Sequence, residues 1–168
     1  YVTGLGLSVA IAGVVTGAFN ISSMAIRPIS GLISDRVNRK WLLVISTVGM
    51  GLAIFGYALT QDPTVLIVLR ILHGVIFALS TTVNMAIIPG IVPFGQIGEA
   101  ICYFGISQSL AMAVGPAFGL WLKDIGGFSI TFLVAAGLCV LGGLFAIPFR
   151  LTNDHEETPK RKGLKLSD

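Results

Sequence analysis

Charged residues are scarce in this sequence, and their scarcity excludes an ordinary soluble domain. Only 11% of the 168 residues are charged and 54% are hydrophobic, whereas roughly 25% of the residues in a soluble domain carry charge. A soluble fold of this length has to cover its surface with polar groups, but a chain that faces lipid does not. The composition therefore predicts a protein whose solvent is the bilayer.

Cysteine is also rare, and the sequence lacks the common motifs of metal sites and enzymes. Cys102 and Cys139 stand alone in apolar runs without CxxC or CxxH spacing, so no metal or redox site is predicted. No HExxH or GxSxG motif occurs, and no pair of acids lies within an apolar run. We therefore predict no catalytic residue, no bound cofactor and no enzymatic activity.

Apolar runs fill most of the chain. The first run could reach roughly 34 Å at about 1.5 Å per residue, which is enough to cross a hydrocarbon core about 30 Å thick. Residues 1–149 are predicted to form a transmembrane helical domain, and the charged residues 150–168 a cytoplasmic linker or tail. Five spans are predicted, at about residues 4–26, 41–59, 64–88, 100–122 and 128–149.

Basic residues outside the spans are distributed unequally, and this sets the expected orientation. One side of the predicted bundle has eight basic residues, and the opposite side has one, Lys123. The positive-inside rule then places the first residue, Tyr1, outside and the tail in the cytoplasm. With five spans and an outer N-terminus, we expect a further span before Tyr1. The eight bases of the other side are Arg36, Arg39, Lys40, Arg150, Lys160, Arg161, Lys162 and Lys165.

The segment 31–40, GLISDRVNRK, resembles the signature that the major facilitator superfamily carries between its second and third helices. The match rests on Gly31, Asp35, Arg36, Arg39 and Lys40, which we call the gate motif. The resemblance implies a cytoplasmic gate, in which the acid clasps the partner half of a transporter. Asn38 stands where the family usually has glycine, and Asn tolerates a positive φ. Alternatively, the bases only enforce topology and Asp35 caps a turn.

Further polar residues outside the gate motif are candidates for function. Arg27-Pro28 resembles a pair found at the cytoplasmic end of this helix in some exporters, with snorkelling of Arg27 to the interface as the alternative. Asn20 and Gln108 lie within predicted spans. They are candidate ligand contacts, and the alternative is interhelix hydrogen bonding.

A polar stripe runs along the third predicted span. Leu66, Arg70 and Gly74 resemble a second signature of the superfamily, whose arginine is associated with proton transfer or substrate charge. His73 replaces the usual glutamine and is a candidate proton carrier, with a neutral hydrogen-bonding histidine as the alternative. Gly74 is also a candidate helix-packing residue. Spacing of three or four residues predicts one shared face that lines a cavity, formed by Arg70, His73, Gly74, Phe77, Thr81 and Asn84.

The fourth predicted span contains small residues and a proline. Ala111, Gly115 and Gly119 recur every four residues and Pro116 interrupts the backbone ladder, so close packing and a kink are predicted. The stretch resembles the glycine-proline signature of exporters in the superfamily. Ala111 and Leu120 depart from it, because they replace glycines.

The order of these motifs implies an all-α membrane protein. Its five transmembrane helices correspond to the second to sixth helices of a six-helix half-bundle of the major facilitator fold. The expected function is alternating-access transport of a small solute by proton-coupled efflux, with H⁺ as coupling ion. Metabolite uptake, facilitated diffusion, and a scaffold or receptor subunit are the alternatives. Expected partners are the lipid bilayer of the cell membrane, a small-molecule substrate, and a first helix and second half outside this chain. No nucleic acid is expected.

Overall fold

The computed structural model describes residues 8–148, and in this range the backbone is helical between short connections. Two 3₁₀ turns, Ile88–Gly90 and Phe94–Gln96, join the third helix to the fourth. All four long helices are apolar and long enough to cross a membrane. They are α1 (Val9–Arg36), α2 (Arg39–Leu59), α3 (Pro63–Ile87) and α4 (Ile97–Phe145).

The fourth helix, α4, is divided in two at Gly127. This glycine has φ 73° and ψ −177°, a conformation that breaks the helix and that a side chain would disfavour. A straight helix of 49 residues would be roughly 73 Å long, far more than a bilayer core about 30 Å thick. Segments 97–126 and 128–145 therefore supply two crossings, which gives five transmembrane segments in the described range.

Side-chain caps fix the short connections between the first three helices. Asn38 Oδ1 accepts hydrogen bonds from the backbone N–H groups of Lys40 and Trp41, at 3.0 and 3.3 Å. Asp62 Oδ1 likewise accepts from Thr64 N at 2.7 Å, one residue after Pro63 opens α3. Caps of this kind satisfy orphan N–H groups and set where each helix begins. Helices α2 and α3 form an antiparallel hairpin across the Asp62-Pro63 turn, with Gly49 against Ile76 and Gly56 against Leu69.

Helices α1 and α3 are parallel neighbours in constant register. The hydroxyls of Ser30 and Thr82, 52 positions apart, lie 2.8 Å from each other. Ser22 and Gly74 are also in contact and have the same separation in sequence. A constant offset over two helical turns shows that the two helices run side by side in the same direction.

The crossing point of α1 and α3 is Gly74. A Cβ atom at this position would lie 2.5 Å from the carbonyl oxygen of Phe19, and it would also collide with Ser22 Oγ. Small residues allow helices in membranes to approach this closely. The glycine predicted as a packing residue of α3 is therefore the site of closest backbone approach to α1.

Helix α2 packs antiparallel to α3 on one side and to segment 128–145 on the other. A Cβ atom on Gly51 would lie 3.0 Å from the carbonyl oxygen of Ala136. About two helical turns further along segment 128–145, a Cβ on Gly143 would lie 2.8 Å from Val48 Cγ2. Glycines on both helices thus permit the contact, and α2 holds segment 128–145 against the bundle.

The structure differs from the sequence-based boundaries mainly around the gate motif. Helix α1 does not end near residue 26 but continues through Pro28 to Arg36, so most of the motif is helical rather than a loop. Asn38 has φ −58° and acts as the N-cap of α2, so the expected positive φ does not occur. The predicted start of the first span, residue 149 and the predicted tail lie outside the described residues.

The kink and the close packing expected of the glycine-proline stretch stay predictions. The backbone keeps helical angles through Pro116, and Gly127 is the residue of α4 with non-helical angles. Nothing in the described structure lies within 4 Å of a Cβ built on Gly115 or Gly119. Their small-residue face is open here.

The close approach at Gly74 predicts that Gly74→Ala destabilises the protein, because its methyl group overlaps backbone atoms of α1. Overpacking of this kind costs about 1–3 kcal/mol. Thermal unfolding of the full-length protein in detergent should show a clear fall in midpoint temperature.

Gly49→Ala is the matched control, because a Cβ at Gly49 would lie 3.4 Å from Ile76 Cδ1, an ordinary contact. We expect little change for this variant. Equal midpoints for the two variants would contradict the assignment of Gly74 as the crossing point.

Candidate functional site

Arg39 of the gate motif connects the ends of three helices. Its Nη2 lies 3.2 Å from Asp35 Oδ1 at the end of α1, and its Nη1 donates to the carbonyl oxygen of Ala86 on α3 at 3.0 Å. Its Nε also donates to the carbonyl oxygen of Ser34 at 3.4 Å. One planar guanidinium therefore joins the start of α2 to both neighbouring helices.

The gate pair is exposed, which limits its strength. The Arg39 and Asp35 side chains are 44% and 70% exposed, and ion pairs of this kind contribute about 0.2–1 kcal/mol. Arg36 is exposed, and a Cβ on Gly31 would meet nothing within 4 Å. Lys40 faces a groove between helices instead of joining the pair. The five predicted residues thus lie at one end of the bundle, but in different environments.

Beside the gate motif, buried serines of α1 face α3. Ser30 is fully buried and Ser34 is 2% exposed. The Ser30 hydroxyl donates to the carbonyl oxygen of Arg27 at 2.7 Å. Its Oγ also lies 2.8 Å from Thr82 Oγ1, and either hydroxyl can be the donor of that hydrogen bond. The Ser34 hydroxyl has no hydrogen-bond partner among the described residues. This row was not predicted from the sequence, although the recurrence of Ser23, Ser30 and Ser34 at helical spacing would have indicated it.

An aromatic cluster surrounds Arg70 and His73 toward the opposite end of the bundle. The Arg70 guanidinium carbon lies 4.8 Å from the centre of the Tyr57 ring, a cation–π distance. Tyr57 is 3% exposed, and its hydroxyl lies 3.0 Å from His73 Nδ1. The His73 ring also packs edge-on against Phe19 of α1, at 5.2 Å between centroids. Three helices therefore meet at this histidine.

The single hydroxyl proton of Tyr57 allows two hydrogen-bond arrangements. The hydroxyl is within reach of the carbonyl oxygen of Leu69 at 3.4 Å as well as of His73 Nδ1. When it donates to the carbonyl, His73 has to donate from Nδ1, and when it donates to His73, Nδ1 has to be unprotonated. The tautomer of His73 is thus coupled to the orientation of the Tyr57 hydroxyl.

Arg70 has no acidic partner among the described residues, whose two ion pairs are formed by other groups. It lies seven residues after Pro63, which places it roughly 10 Å along α3 from its start. It is half-buried and rests on an aromatic face. Donors of its guanidinium group are therefore available for an anionic or carbonyl ligand.

A cavity of about 380 Å³ lies between α1, α3 and segment 97–126, toward the end that carries the gate motif. Of the predicted polar stripe, Phe77 and Thr81 line it, and so does the predicted contact Gln108. Arg27, which the sequence left between a functional and a snorkelling role, lines it as well. The lining residues are Arg27, Phe77, Thr81, Thr82, Met85, Phe104 and Gln108.

The predicted substrate or proton pathway is thus distributed over separate places. Arg70 and His73 lie in the aromatic cluster, whereas Gln108 lies at the cavity. Asn20 is exposed, and its Nδ2 donates to the carbonyl oxygen of Thr16 in its own helix at 3.3 Å. Asn84 is half-buried near the gate end of α3. The structure therefore presents two polar regions, one toward each end of α3.

Tyr57 is the residue of the cluster that the sequence analysis missed. Gly49 contacts Ile76 and Gly56 contacts Leu69, and in each pair the two residues are equidistant from the bond between Asp62 and Pro63. Counting outward from this turn brings Tyr57 next to the first residues of the α3 stripe. The pairing of residues across the α2–α3 hairpin was therefore the signal that could have predicted the position of Tyr57.

Long apolar helices, each of a length that can cross a membrane, define an all-α membrane protein. Residues 1–166 match the family model of the Major Facilitator Superfamily. The chain belongs to this family of membrane transporters, and it supplies five transmembrane segments of a six-helix half-bundle.

Relatives of known name include transporters and efflux pumps. The chain is 28% identical over 163 residues to the staphyloferrin B transporter of Staphylococcus aureus, covering 92% of this chain and 38% of that protein. It is 26% identical over 157 residues to the multi-drug resistance efflux pump PmrA of Streptococcus pneumoniae, covering 94% and 39%. It is 23% identical over 147 residues to the quinolone resistance protein NorA of Staphylococcus aureus, covering 88% and 38%. The chain thus spans about two fifths of the length of these relatives.

The three contacts of Arg39 predict that Arg39→Lys loosens the gate end of the bundle. A lysine ammonium cannot span Asp35, Ser34 and Ala86 together, because it lacks the planar fork of donors. We expect a loss of about 1 kcal/mol in unfolding free energy, measured by thermal or denaturant unfolding of the full-length carrier.

Arg36→Lys serves as the matched control, since Arg36 is exposed at the neighbouring position. It should leave the unfolding free energy unchanged. A loss for Arg36→Lys as large as that for Arg39→Lys would show that the three contacts of Arg39 are not what stabilises this end.

Proposed function

We propose that this chain is part of a secondary active transporter that exports a small solute in exchange for protons by alternating access. Membership of the superfamily supports transport across a membrane. Relatives described as a multi-drug resistance efflux pump and as a quinolone resistance protein favour export over uptake. The small solute, the coupling ion and the alternating-access cycle belong to the proposal.

The environment of Arg70 is the observation that carries this proposal. A cation in a membrane helix is costly, about 2.5–3.5 kcal/mol on insertion scales, and such residues mark substrate or ion pathways. Here the cation rests on Tyr57 without an acidic partner among the described residues. In this proposal it attracts the polar or anionic part of the solute, while His73 takes up and releases the exchanged proton.

The two ends of the bundle suit different steps of the cycle. The exposed pair between Asp35 and Arg39 is weak enough to break and reform as the transporter rocks. The cavity lined by Arg27, Thr81 and Gln108 opens toward the same end and offers hydrogen-bonding groups beside apolar walls. We assign it to the solute pathway on the gate side of Arg70.

The rest of the transporter is a further part of the proposal. Most residues of segment 97–126 are exposed in the described structure, including Met112 at 79% and Ile106 at 63%. In a transporter of the length of the relatives, this face is proposed to contact a first helix and the second half. The remaining exposed apolar surface faces the lipid bilayer of the cell membrane.

The proposed role of Arg70 in binding the solute predicts that Arg70→Gln in the full-length carrier slows transport strongly while the protein still inserts. The guanidinium is lost but hydrogen-bonding capacity remains, so the initial rate of solute efflux should fall at least about tenfold. The rate is to be measured in proteoliposomes with an imposed proton gradient, together with proton movement in the opposite direction. The matched control is Lys123→Gln, which removes a charge that pairs with Asp124 at the other turn and should leave the rate unchanged.

Two variants of the cluster separate the proton step from solute binding. His73→Gln and Tyr57→Phe both remove the hydrogen bond between these residues, whereas the phenylalanine keeps an aromatic face under Arg70. Both should change the pH dependence of transport and keep a measurable affinity for the solute. An unchanged pH profile for both would refute the proton role of His73, and wild-type transport by Arg70→Gln would refute the solute pathway.

The proposed orientation puts the gate end in the cytoplasm and the Gly127 turn outside, because basic residues cluster at the gate end. Asp124→Cys and Gln96→Cys are suitable reporters, since both positions are exposed and lie at opposite ends of segment 97–126. In a cysteine-free full-length carrier, a membrane-impermeant maleimide should label residue 124 in intact cells. Residue 96 should be labelled after permeabilisation. The reverse pattern would invert the topology.

A further inference from the structure

A second recess lies on the outer surface of the bundle, away from both polar regions described above. It is a groove of about 260 Å³ where α2, the end of α3 and the end of segment 128–145 meet. It lies at the end of the bundle that carries the gate motif. The residues that line it are Lys40, Leu43, Ile87, Ile91, Gly142, Phe145 and Ala146.

The groove combines apolar walls with one cationic side chain. Lys40 is its charged lining residue, and in the described part of the chain it takes part in neither of the two ion pairs. It stands in the first turn of α2, where the helix dipole adds to its positive charge. An occupant therefore needs an apolar body and an anionic head.

The depth of Lys40 corresponds to the headgroup level of a membrane. Its neighbour Trp41 is 53% exposed, and exposed tryptophans at helix ends are typical of the membrane interface. Arg36 and Arg39 lie one turn or less away along the chain, so the surface is basic here. Leu43 and Phe145 extend the groove from this level toward the hydrocarbon core.

We propose that this groove binds an anionic phospholipid from the surrounding leaflet. The phosphate headgroup contacts Lys40, and one acyl chain lies in the groove between α2 and segment 128–145. Basic pockets between transmembrane helices recognise anionic headgroups in this way. A soluble phosphate would leave the apolar walls unused, and a zwitterionic lipid would bring its own cation near Lys40. The leaflet is the cytoplasmic one if the proposed orientation holds.

Gly142 provides a way to close the groove without disturbing the bundle. A Cβ on Gly142 would have Thr47 Cγ2 at 4.0 Å as its nearest neighbour, so a larger side chain fits there and fills the recess. Gly143, one residue later, would collide with Val48 instead. Gly137 of the same segment is exposed, has nothing within 4 Å and does not line the groove.

The test is native mass spectrometry of the full-length carrier, with phosphatidylglycerol and phosphatidylcholine of identical acyl chains as ligands. Wild type should retain phosphatidylglycerol preferentially. Lys40→Gln should weaken that retention about fivefold, the factor expected for one basic residue near a membrane surface. Gly142→Leu should lower retention of the same lipid, because it removes room for the acyl chain.

The controls are Lys123→Gln and Gly137→Leu, which alter charge and bulk elsewhere and should retain phosphatidylglycerol like wild type. Inorganic phosphate in excess should not displace the lipid. Equal retention of the two lipids by wild type would overturn the proposal, and so would retention unaffected by both Lys40→Gln and Gly142→Leu. Either result would mean that the groove is empty or covered by another part of the carrier.

Discussion

The close approach of α1 and α3 at Gly74 is the constraint on which the rest of the described structure depends. Because no side chain fits between Gly74 and the backbone of Phe19, the two helices are fixed in parallel register. His73 is the preceding residue and is thereby placed against the Phe19 ring. Two turns later the same register brings Thr82 to Ser30. One glycine thus positions both polar regions of α3.

Arg70 depends on α2 rather than on α1, and its partner there is an aromatic ring. A cation–π contact contributes about 0.5–2 kcal/mol and leaves the N–H donors of the guanidinium uncommitted. A buried carboxylate would have held those donors in a fixed pair and would have cost desolvation of two charges. Tyr57 therefore stabilises the cation in place while keeping it available to a ligand.

Much of the fold follows from the sequence, because apolar runs and caps are local signals. Helices α2 and α3 begin after Asn38 and Asp62, whose side chains cap them. The extent of α1 was not predictable in this way, since Pro28 and the charges of the gate motif suggested an earlier end. The partnership of Tyr57 with Arg70 and His73 was also missed, because it depends on register between helices and not on spacing within one.

The strengths of these contacts limit how the proposed alternating access can proceed. Sliding α1 along α3 would drive Gly74 against backbone atoms of the adjacent turn, because the fit has no spare room. The contact between Asp35 and Arg39 is exposed and weak by comparison. Motion should therefore leave the helix crossings intact, and any rearrangement within the bundle is confined to the exposed gate pair. The bundle then moves as one body, and His73 and Arg70 keep their geometry while access to them changes.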